Sequence, residues 1–170
     1  MNCNSSTIFT RKNIQPKTTS LFLRRKATPA TEFDLREDLL RKAHTALTQS
    51  LAINPIAPYE WLQLAELDSQ LFNPKQVIIN SIRMSFYTGR VEPDLTISRI
   101  RFSYLYFNDF DDEMKNLFQR QIVIAWNLTP TDLITFLKAT EPARDMALIA
   151  LSNMPEQLKL LRKSLNLSIN

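Results

Sequence analysis

The amino-acid sequence predicts an all-α chain of antiparallel helix hairpins, and three observations carry that expectation. Glycine occurs once in 170 residues, at Gly89, where average usage of roughly 7% would give about twelve. Apolar residues recur at helical spacing, as in Met114, Leu117, Phe118, Ile122, Ala125 and Trp126. Prolines fall where helices should begin and not inside them. With 44% hydrophobic and 22% charged residues, the chain can bury one core and stay soluble.

Taken in order, the elements are as follows. A helix over 32–53 closes at Leu51-Ala52-Ile53-Asn54-Pro55. Trp61, Leu64, Ala65, Leu71 and Phe72 share one stripe of a second helix over 58–72. Asn73-Pro74-Lys75-Gln76 offers an N-cap, a proline at the first helical position and a glutamine placed to reach back, which opens a third over 74–87 along Ile78, Ile79, Ile82 and Phe86. A fourth, over 93–107, starts at Pro93. Asp109, Asp111, Asp112 and Glu113 put negative charge at the positive end of a fifth over 110–127. Thr129-Pro130-Thr131-Asp132 opens a sixth over 130–139; further helices follow over 142–152 and 155–166, the last after Asn153 and Pro155. Pro55 to Pro93 is 38 residues and Pro93 to Pro130 is 37, the period of a two-helix repeat unit.

Much chemistry is excluded by composition. Rossmann, Walker, EF-hand and nucleophile-elbow motifs need glycines at fixed offsets, because the backbone must turn at positive φ or approach a phosphate. One cysteine (Cys3) and one histidine (His44) allow no intrachain disulfide and no structural zinc site. A nucleophilic triad would have to use His44, which lies in a helix-patterned stretch. The sequence therefore predicts no enzyme, no cofactor and no metal.

Ala46-Leu47 with Ser50-Leu51-Ala52-Ile53-Asn54-Pro55, followed by Tyr59-Glu60-Trp61-Leu62-Gln63-Leu64-Ala65, resembles the end of one tetratricopeptide (TPR) repeat and the start of the next. In the next unit Ile97, Ile100 and Tyr104 keep the pattern, while Arg101 stands where the motif wants glycine or alanine. The resemblance implies an α-α superhelix, a short TPR-like solenoid over 32–170 that binds a protein partner. A narrower resemblance covers roughly 42 to 137. Arg83 to Pro93, an arginine-bearing helix with Arg99 and Arg101, and Ala125 to Pro130 are similar to small bacterial TPR-like proteins associated with cell-surface polysaccharide biosynthesis. Those proteins usually carry a membrane-spanning helix ahead of the repeats, which this sequence lacks.

Charge separates the first 31 residues from the rest. They hold six basic and no acidic side chains, leaving 15 basic and 17 acidic in the body, so only this Ser-, Thr- and Asn-rich tail is basic. It reads as a disordered solvated tail. Leu21-Phe22-Leu23 before Arg24-Arg25-Lys26 also suits a weak contact with an anionic membrane surface, and the lack of acids resembles an organellar transit peptide. No export signal or membrane span is present in the sequence, and the expected location is the cytoplasm.

Candidate sites follow from these placements. The leading reading is a scaffold whose concave groove takes an extended peptide or a helix, with no nucleic acid bound. Tyr59, Leu62, Glu66 and Ser69 share the face of the first helix, with Ser98, Arg99, Phe102 and Leu105 in the next unit. Arg83, Arg90, Arg99 and Arg101 could form a fork for a carboxylate or phosphate; solvated faces paired with Glu92 or Asp94 are the plainer account. The aromatic run from Phe102 to Phe110 suits a binding surface or a core helix, and Asp109 to Glu113 suits capping better than a cation. The alternative function is a membrane-surface or nucleic-acid adaptor acting through basic residues 11 to 26.

Overall fold

The computed structural model describes residues 33–167, in which eight α-helices and one short 3₁₀ turn follow one another without a strand. The tail over 1–31, with Cys3 and the membrane-surface, transit-peptide and nucleic-acid readings placed on it, lies outside the described residues. The helices are α1 (Phe33–Ile53), α2 (Pro58–Gln70), α3 (Lys75–Thr88), α4 (Pro93–Tyr104), α5 (Asp112–Leu128), α6 (Pro130–Ala139), α7 (Ala143–Ala150) and α8 (Pro155–Ser164). All eight expected helices form, with ends displaced by no more than three residues. No helix among the described residues is long and apolar enough to cross a membrane.

The chain divides into two units, Met1–Ser50 and Leu51–Asn170. Within the first, α1 buries Leu40, Ala43, Leu47 and Ser50, which recur every three or four residues along one face. Its outer face carries Glu37–Arg41 and Asp38–Lys42 ion pairs one turn apart, each with N···O at 2.6 Å. At this exposure such pairs add a few tenths of a kcal/mol.

In the second unit each helix packs on its successor, α2, α4 and α6 touch in a row, and α5 and α7 touch alongside. One continuous core runs through it, from Ala65, Ile79 and Ile82 through Ile100, Met114 and Phe118 to Leu133, Leu137, Leu151 and Leu161. Ala65, Ala125 and Ala147 are fully buried in it, and side chains this small let neighbouring helix backbones approach. Most of the aromatic run goes into this core. Phe107 packs against Phe110 and Phe118 at 5.8 and 5.3 Å between ring centroids, and Tyr104 meets Phe136 edge-on at 6.0 Å.

Two helix starts differ from expectation. Asn73 does not cap α3: its side-chain amide donates to the buried carboxylate of Asp68 at 2.7 Å, Gln76 donates to Asn80 instead of reaching back, and Pro74 occupies the cap position. Thr129 likewise turns its hydroxyl back to the carbonyl of Ala125 in α5 and leaves α6 without a side-chain cap. In both cases the side chain bonds to the preceding helix and not to the N–H groups ahead. Asp111 does cap, accepting from the Met114 N–H at 2.8 Å.

Helix ends are closed with almost no glycine. At the end of α2 the Asn73 N–H donates to the Asp68 carbonyl at 2.9 Å and Phe72 takes φ 55°. At the end of α8 the Leu167 N–H donates to the Arg162 carbonyl at 2.9 Å and Asn166 takes φ 56°. This is the left-handed cap that glycine usually fills. Asparagine tolerates it; phenylalanine is strained by roughly 1–2 kcal/mol. Gly89 has another use. Its φ is −153°, so no left-handed turn is involved, but a Cβ there would lie 2.7 and 2.8 Å from the Pro58 ring carbons. Close approach of the α3 end to the start of α2 requires its absence.

Phe72 is 88% exposed, so its side chain gives little packing to offset the strain. Phe72→Gly is expected to raise unfolding free energy by about 1 kcal/mol in urea titration, while Phe72→Ala, which keeps a Cβ at positive φ, changes it little.

Candidate functional site

Four helices of the second unit meet around a buried arginine. Thr96, Arg99, Ile100 and Ser103 lie on one buried stripe of α4, and Arg99 is 0% exposed. Its Nε donates to the Ser85 hydroxyl at 2.9 Å, one terminal nitrogen donates to the Gly89 carbonyl at 2.5 Å, and the other donates to the Ser85 carbonyl. Ser85 in turn donates to the Pro58 carbonyl at 2.7 Å, and the amide nitrogen of Gln121 on α5 donates to the Arg90 carbonyl at 2.9 Å. The guanidinium thus closes the C-terminal end of α3, where carbonyls lack helical partners and the helix dipole is negative. It also sits 5.8 Å from the centre of the Phe86 ring. Burial lowers its pKa to about 10, opposed by the negative potential of Glu92 and of Tyr59. At neutral pH it remains charged.

The expected arginine fork is therefore not assembled. Arg99 is enclosed and spent on carbonyls, and Arg101 points to solvent. Arg83 pairs with Asp111 at 2.5 Å and lies 3.6 Å from Glu113, not with Glu92 or Asp94. Lys75 bridges to Asp109 at 2.8 Å and the Tyr87 hydroxyl bonds Glu113. The acidic run at the start of α5 is thus a seam to α3 as well as a cap. The hydrogen bond to Glu113 raises the Tyr87 pKa.

The six residues expected to bind a partner divide. Leu62 and Arg99 are buried and present no side chain to a ligand. Tyr59 is 40% exposed; Glu66, Ser69 and Phe102 are half-buried. Ser69 and Phe102 are brought together through Tyr106, whose hydroxyl donates to Ser69 Oγ at 2.8 Å and whose ring lies 5.5 Å from Phe102. Ser98 and Leu105 are exposed. What remains is an α2–α4 surface of aromatic, hydroxyl and acidic groups.

No family model, curated protein or solved structure matches the chain.

Among the described residues no three His, Cys, Asp or Glu side chains gather to hold a metal ion, and His44 is half-buried on α1. Several buried polar residues escaped sequence reasoning, Asp68, Ser85 and Gln121 among them. Asp68, which receives Asn73 and Ser81, looks like any surface acid in a helix pattern. Gln121 left a signal, since it interrupts the apolar stripe Met114, Leu117, Phe118, Ile122 and Ala125 on α5.

Arg99→Lys should lower unfolding free energy by about 2–4 kcal/mol in urea titration, because one ammonium cannot span three acceptors and leaves buried carbonyls unpaired. The Asp111 carboxylate is held below its usual range first by the Met114 N–H and then by Arg83, so its stabilising effect is present above the ordinary carboxylate value and lost as pH falls through the lowered one. Asp111→Asn keeps the cap but not the titration. Its unfolding midpoint should decline less steeply than wild type's below about pH 4.

Proposed function

We propose that this chain is a non-catalytic interaction module, a short TPR-like solenoid whose α2–α4–α6 row receives an extended segment or a helix from a protein partner. The observation that carries the reading is the packing order: each helix meets its successor, and alternate helices α2, α4 and α6 meet one another. Such a stack of hairpins grows in one direction and lines up equivalent faces of successive units. On the first two of those helices, Tyr59, Glu66, Ser69 and Phe102 remain reachable, while Leu62 and Arg99 hold the helices in register from within. A partner would gain affinity from a few anchors such as the Tyr59 and Phe102 rings. The setting in envelope polysaccharide assembly rests on the sequence resemblance over residues 42–137.

The test is affinity purification from the native cell with the wild-type chain and with a Tyr59→Glu, Leu105→Glu double variant. Both positions are exposed, at 40% and 69%, so folding should survive, as judged by helical circular dichroism and urea midpoint. The reading predicts a protein retained by wild type and reduced about tenfold or more by the variant. Equal retention by both chains would overturn it.

A further inference from the structure

We draw no further inference here: the strongest candidate, the shallow groove of about 390 Å³ that runs along α5 from Asn116 past Val123 and Ile124 to Ala150 at the end of α7, is an unpartnered and mostly apolar face, and nothing in the structure shows what covers it.

Discussion

Burying the guanidinium of Arg99 imposes a requirement on every element around it. A charge removed from water must find oriented acceptors, and here they are the last carbonyls of α3 together with a serine already bonded to the start of α2. Because a guanidinium is planar with donors in fixed directions, satisfying it sets where α2, α3 and α4 lie relative to one another. Gly89 is part of the same constraint, since the loop that presents its carbonyl to Arg99 also passes against the Pro58 ring. Through Arg90 and Gln121 the constraint reaches α5. Apolar burial supplies the driving force, while this polar junction selects one register among the many that an apolar stripe would accept.

Scarcity of glycine shapes the rest of the chain. Helices leave carbonyls unpaired at their C-terminal ends, and the usual remedy is a glycine in the left-handed region. This chain uses two substitutes. Phe72 and Asn166 enter that region themselves, whereas Arg99 and Arg144 bring guanidinium groups to the ends of α3 and α6. Arg144 reaches the Leu137 and Lys138 carbonyls at 2.9 and 3.1 Å while staying near Glu141. A cation at that end also meets the negative pole of the helix. Arg99, which looks like part of a ligand-binding set in the sequence, is accordingly a helix terminator.

The arginines and aromatics left over lie on two exposed surfaces. On α2 and α4 they are rings and hydroxyls around Tyr106; just past the end of α3 and on α5 they are Arg90 and Arg120.

The sequence by itself determined that the described chain is helical, and it determined where nearly all of the helices begin and end. Apolar spacing and the placement of proline act locally, within a few residues, so they can be read without knowing the partner of any face. Capping was legible in part, because a polar side chain at a helix start can bond forward to the new helix or back to the one before it. Asp111 met the N–H groups ahead of it, but Asn73 and Thr129 were drawn away by groups on the preceding helix. The site residues were legible as to face but not depth: Tyr59 and Leu62 sit on adjoining turns, yet one is exposed and the other buried. Tertiary structure alone decided which arginines would be enclosed, paired or free. Arg83, Arg90 and Arg99 carry the same charge in the sequence, and what separates them is whether carbonyls, carboxylates or water stand opposite once the helices have packed.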